Sequence, residues 1–142
     1  MPLSAQDRLD IHELMAKYAN AVDVDGKEED LFEIFTDDVV LDSPMSGKFS
    51  GREGLTQFGK AVARLRSGEI GRHLITNLRI VGDGDRATLK AYFIHSSTPR
   101  DPAAPGAKRA TSVTNAGQYE CAARKISGRW WLARRTVFVD NC

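Results

Sequence analysis

The sequence predicts an α+β fold in which three N-terminal helices pack against a curved, mostly antiparallel sheet. In the first half of the chain, apolar residues recur with the 3.6-residue period of a helix. After Gly71 the period changes to two, β-branched residues become frequent, and turn sequences separate the apolar runs, which is typical of strands. Helices gathered on one side of an antiparallel sheet define the α+β class.

Three helices are predicted in the first half of the chain. Ser4 and Asp7 resemble the capping box with which helices begin, and the Asp-Gly pair at 25–26 ends the first helix. A short second helix is predicted over 27–35 and a third over 52–66. The apolar residues expected to pack in the core are Ile11, Leu14, Met15, Tyr18 and Val22 on the first helix, Leu31, Ile34 and Phe35 on the second, and Leu55, Phe58, Val62 and Leu65 on the third.

One short strand and two long hairpins make up the predicted sheet. The strands are expected at 39–41, 72–81, 86–98, 111–124 and 130–140, with loops over 43–51 and 99–108. The Gly-Asp-Gly-Asp sequence at 82–85 is a hairpin turn, since no helix follows it as a phosphate-binding loop requires. A long twisted sheet wraps around the helices, and the concave space between them is the natural place for a small-molecule pocket.

Length and composition limit the class of protein. A chain of 142 residues with 42% apolar and 27% charged residues predicts one domain over 1–142. The net charge of +1 argues against a nucleic-acid binder, and the apolar runs are too short to cross a membrane. No secretory signal pattern is present, so a cytoplasmic location is expected. Cys121 and Cys142 indicate neither a disulfide framework nor a zinc site.

The small net charge hides an uneven distribution along the chain. Residues 1–53 carry thirteen acidic and five basic side chains, whereas the remainder of the chain has an excess of basic ones. This pattern indicates acidic helices that lie beside a basic sheet. A binding surface for an anionic partner is the alternative interpretation.

Two of the three histidines are predicted to be cross-strand neighbours. In a hairpin that turns at 82–85, residue i pairs with approximately 167−i or 168−i, so His73 falls opposite residue 94 or 95. His95 continues a face of its strand that is otherwise apolar, which directs it toward the core or the pocket. The other members of that face are Ala87, Leu89, Ala91 and Phe93.

Histidines in such a pocket are suited to proton transfer. A histidine oriented by a carboxylate is a general base that works near neutral pH, and a second histidine can donate or shuttle the proton. Asp23, at the C-terminal end of the first helix, is the candidate carboxylate, although the helix dipole opposes a negative charge there. With Asp23 as a third ligand the alternative is an iron or zinc site. Of Arg134 and Arg135 only one faces inward, where it is a candidate anion clamp.

The sequence resembles the SnoaL-like group of the nuclear transport factor 2-like superfamily over nearly its whole length. The resemblance rests on four segments in order: YANAVDVDGKEEDLFEIFTDDVVLDSP (18–44), GKFSGREGLTQF (47–58), RHLITNLRIVGDGDRATLKAYF (72–93) and SGRWWLARRTVF (127–138). It implies a cone-shaped half-barrel in which a curved, mixed or antiparallel sheet wraps around three helices and encloses a deep apolar pocket.

Within that superfamily the chain is similar to scytalone dehydratase and hexachlorocyclohexane dehydrochlorinase. By this resemblance His73 is the base, Asp23 its orienting partner, and His95 a hydrogen-bonding or acid group. The chain departs from both enzymes. Two water-holding tyrosines of the dehydratase match Val22 and Ser43 here, and a lysine of the dehydrochlorinase matches Tyr18, a candidate for a substitute hydroxyl. Tyr18, Ser43 and Phe93 are the expected substrate-binding residues.

These features predict a lyase or isomerase that needs no metal or other cofactor and acts on a small, apolar, cyclic substrate. His73 abstracts a proton alpha to an activating group, Asp23 stabilises the imidazolium, and His95 assists departure or reprotonation. The alternatives are a non-catalytic module that binds a hydrophobic ligand or serves assembly, and an accessory subunit related to the small subunits of ring-hydroxylating dioxygenases. The resemblance also implies a homo-oligomer, a dimer or trimer, formed through outer faces of the sheet.

Overall fold

The computed structural model describes residues 1–24 and 26–142, over which helices precede and support a six-stranded sheet. The predicted turn at 25–26 therefore includes one residue, Asp25, outside the described part of the chain. The helices are α1 Ala5–Val24, α2 Glu28–Phe32 and α3 Gly51–Arg66. The strands are β1 Phe35–Ser43, β2 Gly47–Ser50, β3 Glu69–Asp83, β4 Arg86–Pro99, β5 Ser112–Ile126 and β6 Arg129–Val139.

The sheet has the order β2-β1-β6-β5-β4-β3, and it is curved and unclosed. Neighbouring strands are antiparallel except β1 and β6, which are parallel. The buried faces of the helices and the inner face of the sheet form one hydrophobic core. This architecture confirms the predicted α+β class with a mixed, curved sheet. None of the helices described over 1–24 and 26–142 is long and apolar enough to span a bilayer.

The capping box predicted at the start of α1 is present. The backbone N–H of Asp7 donates to Ser4 Oγ at 3.0 Å, while the backbone N–H and the hydroxyl of Ser4 donate to Asp7 Oδ2 at 3.0 and 2.9 Å. These reciprocal bonds satisfy donors that have no partner within the helix. The carboxylate of Asp7 thus performs the role usually taken by glutamate at this position.

The predicted apolar stripes are buried with one clear exception. Ile11, Leu14, Met15, Tyr18 and Val22 all face the core from α1, as do the predicted residues of the short second helix region. Leu65, near the C-terminal end of α3, is 58% exposed, so its assignment to the core was wrong. It lies instead at the edge of the cavity described below.

Tertiary pairing overrides the helix prediction between α2 and α3. Helix α2 ends at Phe32, and Phe35 belongs to β1, because Phe35 pairs with Leu132 of β6 and the backbone N–H of Leu132 donates to the Ile34 carbonyl at 2.9 Å. The predicted loop over 43–51 contains β2, which pairs back onto β1. Gly47, with φ +85°, adopts the left-handed conformation at which β2 begins.

Candidate active site

A cavity of about 270 Å³ lies between α1, α3 and the inner face of the sheet. Of the six residues predicted for the site, five line this cavity: Tyr18, Ser43, His73, Phe93 and His95. Asp23 does not line the cavity and contacts His73 instead. The fold therefore brings all six predicted residues to one place.

Asp23 and His73 form a hydrogen-bonded pair that joins the end of α1 to β3. His73 Nδ1 lies 2.5 Å from Asp23 Oδ1, and the backbone N–H of His73 donates to both carboxylate oxygens at 2.9 and 3.1 Å. The negative end of the α1 dipole disfavours a carboxylate at this position, and the hydrogen bonds from His73 compensate for it. Since a carboxylate accepts, Nδ1 carries the proton and Nε2 is the nitrogen left for proton abstraction.

His73 on β3 lies directly opposite His95 on β4, which is one of the two partners predicted for it. The two imidazole centroids are 4.6 Å apart. His95 Nδ1 lies 2.6 Å from Thr114 Oγ1, and the Thr114 hydroxyl donates to the His95 carbonyl at 3.2 Å. The hydroxyl has one proton, so Nδ1 of His95 donates to Thr114, and Nε2 is an acceptor with no partner among the described residues.

Burial of the His95 imidazole disfavours its charged form. This burial, together with repulsion from the neighbouring basic groups of His73 and Arg66, lowers the pKa of His95 to about 4. His95 is therefore a neutral ring at pH 7. A neutral ring with Nδ1 protonated accepts a hydrogen bond at Nε2 and does not act there as the acid.

A bulge in β3 turns His73 toward the cavity. Arg79 pairs with Lys90, and if this register continued regularly His73 would face Ser96 with its side chain on the outer surface. The register shifts between Thr76 and Arg79, where Asn77 has a φ of +55°. Asparagine tolerates this left-handed conformation better than most residues. The extra residue places His73 opposite His95 on the inner face.

A second bulge decides which arginine faces inward. Trp130 and Leu132 point inward along β6, so a regular strand would direct Arg134 inward as well. The register shifts opposite Ala122 and Ala123, and Arg135 becomes the inward residue, while Arg134 is exposed. Alternation along the sequence predicts one inward arginine, but it cannot reveal the bulge that selects Arg135.

Arg135 is the most unusual residue of the cavity. It is only 3% exposed, and its Nη1 donates to the hydroxyl oxygen of Tyr18 at 2.8 Å. Its Nε and Nη2 are buried and have no hydrogen-bond partner among the described residues. The guanidinium carbon lies 5.1 Å from the ring centroid of Phe58.

Aromatic rings and aliphatic side chains form the remaining wall. Phe93 stacks on Tyr119 with ring centroids 4.6 Å apart, and Tyr18 meets Tyr119 edge to face at 5.6 Å. Burial raises the pKa of the Tyr119 phenol well above its ordinary value, so this group stays neutral. Ser43 Oγ accepts the backbone N–H of Met45 at 3.2 Å. The cavity is thus largely apolar with a few fixed polar groups.

Sequence reasoning missed several polar residues at the cavity. Thr114 and Asn115 come from β5, and Arg66 and Glu69 flank the junction of α3 and β3. Arg66 Nη1 donates to Glu69 Oε1 at 2.7 Å, and the Ser97 hydroxyl also donates to Glu69. No motif identifies these residues. The bulge after His95 brings Thr114 to the site, and Arg66 and Glu69 reach it from the end of α3 and the start of β3. Within residues 1–24 and 26–142, no three histidine, cysteine or acidic side chains are grouped to hold a metal ion.

Solved structures with the same fold include proteins from several bacteria. A protein of unknown function with a cystatin-like fold from Nostoc punctiforme is 29% identical, with a TM-score of 0.78 over 99% of this chain and 96% of that one. Rv3472, of unknown function, from Mycobacterium tuberculosis is 26% identical, with a TM-score of 0.78 over 96% and 78%. LinA is 20% identical, with a TM-score of 0.75 over 95% and 86%, a likeness of fold alone.

The fold places the chain in the class of proteins with a cystatin-like fold. The family model of the SnoaL-like domain matches residues 4–136, so this chain belongs to the SnoaL-like family. Among curated proteins no sequence matches this chain. The family assignment confirms the resemblance found in the sequence.

Proposed function

We propose that the cavity is the active site of a lyase or isomerase that uses histidine as a general base and requires no cofactor. The observation that carries this proposal is the Asp23–His73 pair, hydrogen-bonded at 2.5 Å with His73 at the cavity wall. A base oriented by a carboxylate in a largely apolar cavity is arranged for proton abstraction. Membership in the SnoaL-like family is consistent with this class of reaction.

In the proposed reaction each of the three residues has a separate role. Nε2 of His73 takes a proton from the substrate carbon alpha to an activating group, and Asp23 stabilises the imidazolium that forms. His95, which the resemblance implied as a hydrogen-bonding or acid group, is a neutral ring whose Nδ1 bonds to Thr114 at 2.6 Å and whose Nε2 is enclosed. It therefore forms the wall beside His73 and leaves the proton transfer to His73. The imidazolium of His73 then returns the proton to the product or to a leaving group.

The shape of the cavity supports a small, ring-shaped substrate. Tyr18, Phe93 and Tyr119 present aromatic surfaces, and the volume of about 270 Å³ limits the ligand to the size of one or two rings. Ser43 and Val22 also line it, where the related dehydratase has water-holding tyrosines. We therefore do not assign the dehydratase or the dehydrochlorinase reaction to this chain.

The experiment combines a substrate screen with a histidine variant. Cyclic ketones and polyketide fragments of one or two rings are screened by thermal shift, with steroids as a test of the size limit, and compounds that bind are tested for turnover. His73→Gln is expected to lower kcat/KM by about 10³-fold without changing the fold, because it removes the proton acceptor. His12→Gln, at an exposed histidine of α1, is the matched control and keeps full activity. Full activity in His73→Gln overturns the mechanism.

A module that binds a hydrophobic ligand without turning it over is the second candidate. The observation that favours it is the burial of His95, which is 6% exposed with its Nε2 enclosed. Under this alternative, compounds from the screen bind but none is consumed by the wild-type protein. An accessory role beside a ring-hydroxylating dioxygenase, and the cytoplasmic location, stay predictions.

The homo-oligomer expected from the resemblance also enters as a proposal. Leu74 and Ile94 are paired neighbours on the outer face of the sheet, and Tyr92 and Phe138 extend this exposed apolar patch. Ile94→Glu is expected to give a monomer in light scattering if two copies pair through this patch. Val81→Glu, at an exposed position near the end of β3, is the control and keeps the mass of the wild type.

A further inference from the structure

We propose that Arg135 binds an anionic oxygen group of the ligand, so that the molecule in the cavity is ionised at one end. This inference deepens the proposed function, because it names a property of the substrate of the same cavity. It adds an anionic group to the small, mostly apolar substrate predicted from the sequence, in which an inward arginine was a candidate anion clamp. The ligand class is a small ring compound with a carboxylate or a phenolate-type oxygen.

The first support is the burial of an unneutralised charge. Arg135 is 3% exposed, and no aspartate or glutamate of the described residues lies within ion-pair distance of its guanidinium. Its hydrogen-bond partner among the described residues is the hydroxyl of Tyr18 and not a carboxylate. Burial of a charge is costly unless the charge is paired, and guanidinium groups stay protonated in proteins. The missing countercharge therefore points to a ligand.

The second support is the position of the guanidinium N–H groups that lack a hydrogen-bond partner. Nε and Nη2 of Arg135 lack partners, whereas Nη1 is bound to Tyr18. Nε–H and one N–H of Nη2 point in the same direction from the planar guanidinium, and together they form the edge that binds a carboxylate with two parallel hydrogen bonds. A single-atom phenolate oxygen accepts from the same two donors.

The third support is the apolar setting around this edge. Phe58 lies against the guanidinium, and Tyr119 and Val137 line the same cavity. An ion held here is shielded from water, so the hydrogen bonds are stronger than on a surface. The ring of the ligand then packs against Phe93 and Tyr119, which leaves its polar end for Arg135.

The test measures binding of simple anions and of a neutral analogue by calorimetry. Benzoate and 4-nitrophenolate are the anionic probes, and benzamide is the neutral one. We expect benzoate to bind the wild-type protein about 10- to 100-fold more tightly than benzamide, because two charge-assisted hydrogen bonds distinguish them. Tighter binding of benzoate than of nitrophenolate assigns a carboxylate, and the reverse order assigns a phenolate-type oxygen.

Two neighbouring arginines provide a matched pair of variants. Arg135→Gln is expected to weaken the binding of the preferred anion by about 10- to 100-fold. Arg134→Gln, adjacent in sequence but on the exposed face, is expected to leave it unchanged. Arg135→Lys keeps the charge but loses the planar pair of donors, so an intermediate loss is expected. Equal affinity in Arg135→Gln and wild type, or no binding of either anion to wild type, overturns the proposal.

The thermal stability of the unliganded protein shows whether an Arg135 variant loses anion binding because it fails to fold. Arg135→Met replaces a buried unpaired charge with an apolar side chain of similar length, so its thermal midpoint is expected to equal or exceed that of the wild type. A fall of the midpoint would indicate that the charge is satisfied within the protein, and it would contradict the proposal. Loss of turnover in His73→Gln tests the catalytic proposal and loss of benzoate affinity in Arg135→Gln tests the anion site, so the failure of each proposal is read separately.

Discussion

Helix α1 carries a buried carboxylate at each end, and the two are held in opposite ways. Asp7 and Asp23 are each 8% exposed. Asp7 lies at the N-terminal end, where the helix dipole favours a negative charge, and it accepts hydrogen bonds from Ser4, Lys125 and Trp130. Asp23 lies at the C-terminal end, where the dipole opposes it, and its described partner is His73.

The difference separates a structural charge from one suited to chemistry. The carboxylate of Asp7 is bound by the side chains of Lys125 and Trp130 and by the cap at Ser4, which all tie α1 to the rest of the fold. Asp23 has a titratable partner that lines the cavity. A buried acid held by fixed donors stabilises a fold, whereas a buried acid whose partner gains and loses a proton supports proton transfer.

The largest expected effect concerns activity at the Asp23 end. Asp23→Asn is expected to lower turnover of a substrate found in the screen by about 10³-fold, because an amide neither stabilises the imidazolium nor fixes the tautomer of His73. The thermal midpoint is expected to change little, since an amide oxygen still accepts from the backbone of His73. Steady-state kinetics measures the first quantity and calorimetry the second. If Asp23→Asn is much less stable but keeps its turnover, then Asp23 is the structural carboxylate and does not support proton transfer.

The opposite result is expected at the Asp7 end. Asp7→Asn loses the charged partner of Lys125 and weakens the cap of α1, so the midpoint of thermal unfolding is expected to fall by roughly 5–10 °C. Turnover measured well below that midpoint is expected to stay at the wild-type level. Asp10→Asn, whose carboxylate accepts only from the exposed side chain of Gln6, is the control with an unchanged midpoint. If the thermal midpoint of Asp10→Asn falls as far as that of Asp7→Asn, Asp7 has no special structural role at this end of α1.

Sequence reasoning reached the elements whose determinants are local. The stripe of α1 has a regular period, the capping box has a fixed spacing, and the turn after β3 has an unambiguous sequence. These features were sufficient for the α+β class and for placing His73 opposite residue 94 or 95, although it is the bulge in β3 that makes the partner His95. The family resemblance added the role of Asp23, which helix physics alone did not favour.

The features that sequence reasoning missed depend on pairing between distant strands. β2 forms because β1 offers an edge to it, and Phe35 joins a strand because β6 lies beside it. The bulges in β3 and β6 reverse which residues face inward, and no local rule located them. As a result the choice between Arg134 and Arg135 stayed open, and the contact of Thr114 with His95 was not foreseen.

Acid is expected to lower the stability of the protein in two separate pH ranges, one through His95 on β4 and one through Asp7 at the start of α1. The pKa of His95 in the folded protein, about 4, lies below the ordinary 6.5, so the unfolded chain binds the proton first and stability falls as the pH drops from 6.5 to 4. The pKa of Asp7 is held far below 3.8 by Lys125 and Trp130, so its contribution is lost only below about pH 4. Urea unfolding as a function of pH measures both ranges.

Two variants assign these ranges to residues. His95→Gln is expected to flatten the fall between pH 6.5 and 4 and to leave the lower range unchanged. Asp7→Asn is expected to flatten only the fall below about pH 4. If His95→Gln retains the full slope above pH 4, another group titrates there and the neutral state of His95 near pH 7 is not the cause.

A smaller effect is expected at the bulge that positions His73. Asn77→Val places a β-branched residue at a φ of +55°, which costs about 1–2 kcal/mol of unfolding free energy. Asn77→Gly accepts the same conformation without strain and is expected to keep both stability and turnover within a small margin. Chemical denaturation measures this contrast. Equal stability of the two variants would show that the left-handed residue does not hold the register at the Asp23 end.

The smallest effect is expected for the cap at the Asp7 end. Ser4→Ala removes the hydroxyl that accepts the backbone N–H of Asp7 and donates to its carboxylate, but the backbone N–H of Ser4 still donates to that carboxylate at 3.0 Å. A loss of about 1 kcal/mol is therefore expected, as for other helix caps. Ser4→Asp restores an acceptor but brings a second negative charge beside Asp7, so it is expected to recover less than Ser4→Thr. If Ser4→Asp and Ser4→Thr recover the same unfolding free energy, the second negative charge costs nothing beside Asp7. That result would mean that Lys125 and Trp130 stabilise both carboxylates and that Asp7 is held less tightly than its contacts indicate.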